Sequence, residues 1–225
     1  MTLILLHGAL GSSSQVAPLA TALAGTDDVR TMELAGHGNT PLGDRAFSIG
    51  AFVAQLAEYL DHHQVARADL FGYSMGGYVA LAFALEHPQR AGTVTTLGTK
   101  LAWTPDVAAK EASRCDPVTI RAKVPRFADA LAARHEGAGG WEALMGRTAQ
   151  LMRGLGEHPL LGDDALSRIE SRVRLMVGDR DTTVSMDETL HASRSVKHGE
   201  CAVLPGTPHP LEQVDLAVLG SLVLR

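Results

Sequence analysis

Short apolar runs recur along the 225-residue chain at 3–6, 29–34, 68–71, 93–97, 173–177 and 202–204, mostly separated by windows of helical length. Each run is too short for a buried helix and is bounded by polar or turn-forming residues, so it reads as a strand. Strands that alternate with helices call for a mostly parallel sheet, because parallel neighbours need long crossovers and helices on both faces supply them. The spacing predicts helices over 15–23, 48–60 (with Ser48 as N-cap), 77–85, 186–192 and 211–224. Residues 99–170 carry no strand signal, and helical windows there are broken at Pro105, Pro117, Pro125 and Pro159. That predicts a helical lid at 99–170 inserted into an α/β core made of 1–98 and 171–225. With 45% apolar residues, the chain suffices for one such core and one insertion.

Composition excludes several classes of partner. The formal charge is −5 and neither Lys nor Arg forms a run, which speaks against a nucleic-acid or membrane surface and leaves a small molecule as the expected partner. Cys115 and Cys201 are too far apart for metal-ligand spacing and too few for a disulfide framework, so a reducing cytoplasm is expected. The opening residues lack a basic n-region and a cleavage site and read as a first strand. No G-x-x-x-x-G-K-[ST], G-x-G-x-x-G or H-E-x-x-H is present, so neither a cofactor nor a metal is called for. The oligomeric state is left open.

Chemistry concentrates at Gly72-Tyr73-Ser74-Met75-Gly76-Gly77, which stands where the strand at 68–71 gives way to the helix at 77–85. A G-x-S-x-G turn in that context forces its serine towards positive φ and exposes the hydroxyl, while the small flanking residues avoid collision. With 23 glycines in the chain, the pattern alone would arise by chance in roughly one such chain in ten, so the context carries the assignment. A serine nucleophile needs a base, an acid to orient it, and donors for the oxyanion, all from loops at the carboxyl ends of strands. Of ten histidines, His7, His37 and His209 fall just beyond strand ends, whereas His62, His63 and His87 stand at helix ends and His135, His158, His191 and His198 fall in the lid or on predicted surface elements. His209, between Pro208 and Pro210 after the last strand, is the expected base. Asp181 is preferred as the acid, because the turn from Gly178 lets its side chain reach back over the sheet; Asp179 is the reserve. The oxyanion donors are expected to be the backbone N–H groups of Ala9 and Met75. His7 reads as a buried histidine bracing the loop rather than transferring protons.

These segments together resemble the α/β-hydrolases, in particular small lidded members with a His-Gly-x loop in place of a longer glycine run. The resemblance is carried by His7-Gly8-Ala9-Leu10-Gly11, Leu34-Ala35-Gly36-His37-Gly38-Asn39-Thr40, Gly72-Tyr73-Ser74-Met75-Gly76-Gly77, Gly178-Asp179-Arg180-Asp181 and Thr207-Pro208-His209-Pro210, in the family's order. It implies a Ser74, Asp181, His209 triad, Ala9 and Met75 as oxyanion donors, and a lid between the sixth and seventh of the family's eight strands. It also implies that Met1 stands almost at the family's third strand, the first two, an edge hairpin, being absent. The expected activity is that of a carboxylesterase- or thioesterase-like serine hydrolase acting through an acyl-enzyme on Ser74. One alternative is a cofactor-free lyase, since His7-Gly8-Ala9-Leu10-Gly11-Ser12 also resembles the menaquinone-pathway synthase, which would need cations such as Arg114, Arg121, Lys123 and Arg126 for a polycarboxylate. Another is a ligand-binding member with little turnover. Trp103, Phe127, Trp141, Met145 and Met152 are the candidate pocket walls.

Overall fold

The computed structural model describes residues 1–25 and 28–223. Strands β1 (Thr2–Leu6), β2 (Asp28–Met32), β3 (Ala68–Tyr73), β4 (Ala91–Leu97), β5 (Val173–Gly178) and β6 (Gly199–Leu204) form one sheet in the order β2-β1-β3-β4-β5-β6. Every neighbouring pair is parallel, as the alternation of strand and helix requires. Successive side chains point to opposite faces. Leu3, Leu5 and Phe71 therefore join a cluster with Val16 and Leu19 of α1 (Ser13–Leu23), whereas Ile4, Leu6 and Leu70 join Phe52 and Leu56 of α2 (Ile49–His62) and Val79 and Leu81 of α3 (Met75–Glu86). Helix α3 is buried on all sides from Met75 to Ala84, which is why its sequence is apolar without an amphipathic period. Ser48 caps α2, its Oγ accepting from the Ala51 N–H at 3.2 Å.

Between β4 and β5 the chain forms α4 (Pro105–Ser113), α5 (Pro117–Lys123), α6 (Pro125–Arg134), a 3₁₀ turn at Glu136–Ala138, α7 (Trp141–Glu157) and α8 (Asp163–Ser167). The prolines at 105, 117 and 125 are starts rather than breaks. At the first helical position the absent N–H costs no hydrogen bond, and Thr104 and Asp116 cap the next amides. Helices α4 and α7 pack so closely that a Cβ on Gly156 would fall 2.4 Å from Ala108 Cβ. Ala128, Leu131, Trp141 and Met145 form a small core within the insertion.

One helical expectation needs correction. The window 211–224 is a 3₁₀ turn at Leu211–Gln213 followed by α10 (Leu216–Leu222), with Leu224 outside the described residues. Asp215 restarts the helix, its carboxylate accepting from the N–H groups of Ala217 at 2.9 Å and Val218 at 3.2 Å. Helix α9 (Met186–Ser195) follows its prediction and opens on a capping box between Ser185 and Glu188.

From β1 the chain steps to β2 on one side, and β3 then returns to the other, so the loops after β1 and β3 diverge over the sheet's carboxyl edge. Such a switch point leaves a crevice where a ligand can sit. The elements there are in close contact: a Cβ on Gly76 would lie 2.5 Å from Leu6 O and 2.6 Å from His7 O, both backbone atoms. Gly76→Ala is accordingly expected to lower the unfolding free energy by about 1–3 kcal/mol, the usual penalty of overpacking a rigid site, measured by urea titration. An unchanged midpoint would mean that β1 and α3 separate without cost.

Candidate active site

Ser74 leaves β3 at φ 51°, one of three non-glycine residues with positive φ among those described. Its conformation is fixed by its own backbone. The Ser74 N–H donates to Leu97 O at 2.8 Å, and Ser74 O accepts from the N–H groups of Gly77 at 3.0 Å and Tyr78 at 3.3 Å and from Thr99 Oγ1 at 3.0 Å. A Cβ on Gly72 would lie 2.3 Å from the backbone of Gly77 and one on Gly76 2.5 Å from Leu6 O, which is the physical reason that both flanks of this serine are glycine. Tyr73 and Met75 are buried while Ser74 is partly exposed.

The histidine and the acid meet at Gly98, the residue after Leu97. His209 Nδ1 donates to Asp181 Oδ2 at 2.7 Å, leaving Nε2 free as the basic nitrogen. Asp181 Oδ1 accepts from the N–H groups of Thr183 at 2.7 Å and Val184 at 2.8 Å. Burial alone would raise this carboxyl's pKa, but the His209 hydrogen bond and the two amides outweigh it and hold the group below the ordinary aspartate range, hence ionised. Asp179 does different work: its Oδ1 accepts from the Thr207 N–H at 3.1 Å and so holds the loop that carries His209. The Tyr73 hydroxyl donates to His209 O at 2.9 Å. Gly98, at φ 62°, leaves room for the ring, since a Cβ there would lie 3.1 Å from both Cε1 and Nδ1 of His209. Leu97 therefore holds Ser74 while the next residue accommodates His209.

The loop after β1 lies against the serine, for a Cβ on Gly8 would lie 3.3 Å from Ser74 Cβ. His7 is fully buried and braces this loop: Nδ1 donates to Gly8 O at 2.8 Å and Nε2 accepts from the Leu34 N–H at 3.1 Å. Glu33 holds the loop's exit by accepting from Ser13 N–H at 2.8 Å and Ser13 Oγ at 3.0 Å. His37 is buried too, with Nδ1 donating to Ala35 O at 3.2 Å. Burial holds its pKa well below the ordinary range, so the ring is neutral.

His135 has a role that the sequence did not assign. It falls in the insertion, as expected, but it is fully buried and joins three loops. Its Nε2 donates to Leu10 O at 3.0 Å, the same oxygen that accepts from Arg134 Nη1 at 3.0 Å, and its Nδ1 accepts from the Gly38 N–H at 2.9 Å. Leu10 itself is at φ 58°. Burial first, then the charge of Arg134, lowers the His135 pKa, against a partial rise from the Leu10 bond. Its donor-acceptor pattern requires the neutral ring. No local signal announced this residue, because its partners lie 97 and 125 positions away in the chain.

A cavity opens at Ser74, lined by Ala9, Met75 and the apolar side chains of Ile49, Trp103, Leu151 and Leu155. Of the expected pocket walls, Trp103 and Met152 line it; Trp141 and Met145 are lid core instead, and Phe127 is exposed. Lys100, Glu111, Thr148 and Thr183 supply its polar lining. Lys100 Nζ lies 3.4 Å from Glu188 Oε2, and Glu111 accepts from Arg114 at 2.8 Å, so both charges are already paired. Among the described residues, no group of three or more His, Cys, Asp or Glu is placed to hold a metal ion, and no helix is long and apolar enough to cross a membrane.

Comparison with known proteins agrees with this architecture. A Bacillus subtilis protein provisionally assigned as a 2-succinyl-6-hydroxy-2,4-cyclohexadiene-1-carboxylate synthase is 34% identical over 103 residues, 43% of this chain and 37% of its own. A pimeloyl-acyl-carrier-protein methyl ester esterase of Aeromonas hydrophila is 33% identical over 96 residues, 42% of this chain and 36% of its own. These matches therefore span little more than a third of either relative. The solved structure of a 2-hydroxy-6-oxo-6-phenylhexa-2,4-dienoate hydrolase from Rhodococcus shares the fold at a TM-score of 0.78 and 22% identity, covering 98% of this chain and 88% of that one. The sequence pattern of the alpha/beta hydrolase fold matches residues 2–197, and the chain belongs to that family.

Proposed function

We propose that this α/β-hydrolase cleaves an ester or thioester of a small molecule through an acyl-enzyme on Ser74. The observation that carries the reading is a partly exposed serine at φ 51° hydrogen-bonded to Leu97 O, one residue before the glycine that faces a His209–Asp181 pair whose carboxylate is held ionised. His209 Nε2 takes the Ser74 proton as Oγ attacks the carbonyl carbon, then returns it to the leaving oxygen or sulfur. Asp181 keeps the Nδ1–H tautomer and stabilises the imidazolium. The oxyanion faces the N–H groups of Ala9 and Met75; Met75 opens α3, where the first amides lack intrahelical acceptors and the helix dipole favours negative charge. Water then attacks the acyl-enzyme with His209 again as base.

A second reading, elimination with His209 as the base and no cofactor, is favoured by the Bacillus relative. A polycarboxylate would need unpaired cations beside Ser74. Arg114, Arg121, Lys123 and Arg126 are exposed on the insertion and are not among the cavity's lining residues, and Lys100 is already paired with Glu188. That charge distribution supports hydrolysis of a neutral ester.

A fluorophosphonate probe should label Ser74, and Ser74→Ala should abolish labelling and turnover in a protein that still melts cooperatively. Persistent turnover in that variant would remove the serine from the mechanism, whereas active but unlabelled wild type would favour elimination. Asp181→Asn should reduce kcat by up to about 10⁴-fold through loss of the correct tautomer. Asp179→Asn should cost much less, and the reverse ranking would reassign the acid.

Because the folded pKa of His135 is lowered, the neutral ring's contribution to stability is present above the ordinary imidazole range and is lost as pH falls through the shifted value. The unfolding free energy of the wild type should therefore fall on going from neutral to mildly acid pH, and less steeply in His135→Gln. Parallel slopes in paired urea titrations would refute the role given to His135.

A further inference from the structure

The cavity at Ser74 is small. It offers about 60 Å³ to water-sized groups, room for only a few of them. Beyond it, between the start of α2 and the outer half of α7, lies a second space of about 520 Å³ that reaches Phe47, Gly50, Gly154 and Leu160. The two spaces share three lining residues, Ile49, Leu151 and Leu155. Ile49 is 3% exposed and Leu155 6%, while Leu151 is half-buried. On the far side no atom lies within 4 Å of where a Cβ on Gly50 or Gly154 would be, so that side is open. What separates the spaces is a layer of aliphatic side chains.

We propose that Ile49, Leu151 and Leu155 form a partition that limits the substrate to a short acyl chain, and that removing part of it opens the larger space to longer chains. The inference rests on the acyl-enzyme reading. After the alcohol or thiol departs, the acyl group is the part still bonded to Ser74 Oγ, and the cavity that Ser74 lines must contain it. A chain longer than this cavity meets branched side chains in a close-packed wall, and its overhang then costs about tenfold or more in kcat/KM in total. The partition draws one side chain from the start of α2 and two from α7, spaced so that Leu151 and Leu155 share a helix face.

The test is a series of p-nitrophenyl esters from acetate to dodecanoate, assayed on wild type, Leu151→Ala and Leu155→Ala. Wild type should prefer acetate to hexanoate, with kcat/KM falling about tenfold or more by decanoate. Each alanine variant should raise the decanoate-to-butanoate ratio by about tenfold. Leu155 is nearly fully buried, so its variant must first show a cooperative melt; the half-buried Leu151 provides the second route to the same ratio. Wild type that cleaves decanoate as well as butanoate would overturn the partition, as would an unchanged ratio in folded Leu151→Ala. In both cases, butanoate turnover that depends on Ser74 would leave the hydrolase reading standing. Absence of turnover on every ester would overturn that reading, and this inference with it.

Discussion

The hydrogen bond from the Ser74 N–H to Leu97 O, 2.8 Å long, is the contact on which the rest of the site depends. It ties the last turn of β3 to the end of β4 at the point where the backbone must take φ 51°. A non-glycine residue in such a conformation costs on the order of 1–3 kcal/mol. Four hydrogen bonds to the Ser74 backbone, each worth about 1 kcal/mol net, are enough to offset that. The serine is thus exposed because its main chain is over-determined, while its side chain takes no part in capping α3. Gly72 and Gly76 follow from the same constraint, since the backbones of β1, β3 and α3 approach too closely there for any Cβ.

Placement of His209 and Asp181 follows from the edge of the same sheet. Strands β5 and β6 are in register up to Gly178 and Leu204, and a Cβ on Gly178 would fall 1.9 Å from Thr207 O, so the two loops that leave these strands are pressed together. Each aspartate of the first loop then has its own task. Asp179 binds the backbone of the second loop, and Asp181 binds its imidazole. The hydroxyl of Tyr73 adds a third tie from the residue before the nucleophile to the carbonyl of His209. Burial raises the Tyr73 pKa, so this hydroxyl keeps its proton and remains a donor. Ser74, His209 and Asp181, the proposed nucleophile, base and acid, are therefore positioned largely through main-chain contacts of their neighbours.

What the sequence disclosed was local. Alternating runs and windows located all six strands and the helices on the sheet, and the glycines around Ser74 identified the turn, because those signals lie within one or two turns of chain. His209 and Asp181 could be chosen by chain order, since both loops follow recognisable strands. What stayed hidden depended on distant partners. His135 differs in sequence from no surface histidine, and only the folded chain brings it against Leu10 and Gly38. Gly98 reads as the end of a strand until His209, 111 positions later, is packed against it. Aromatic residues in the insertion showed that it has an apolar side but not which residues face inward: Trp141 went to its core, Trp103 to the cavity. The prolines were read as interruptions although, at the first helical position, they are good starts.

The insertion acts on the site from two sides. Through Arg134 and His135 it holds Leu10 O, one residue beyond Ala9, and so restrains the loop whose amide is proposed to receive the oxyanion. Through Trp103, Leu151 and Leu155 it walls the cavity that Ser74 lines. Its exit is tied to the nucleophile's own helix, where the Tyr78 oxygen accepts from the N–H groups of Leu160 and Leu161, both at 3.1 Å. Tyr78 lines the cavity as well, so a single side chain links α3, the segment between α7 and α8, and the space a substrate would occupy. Close packing makes such links stiff, and a change of volume at the cavity wall is felt at α3, which begins with Met75, the proposed oxyanion donor. Pocket shape and the geometry of the reacting groups are for that reason set by one packed unit, in which the sheet supplies the elbow and the insertion holds the facing loop and walls the cavity.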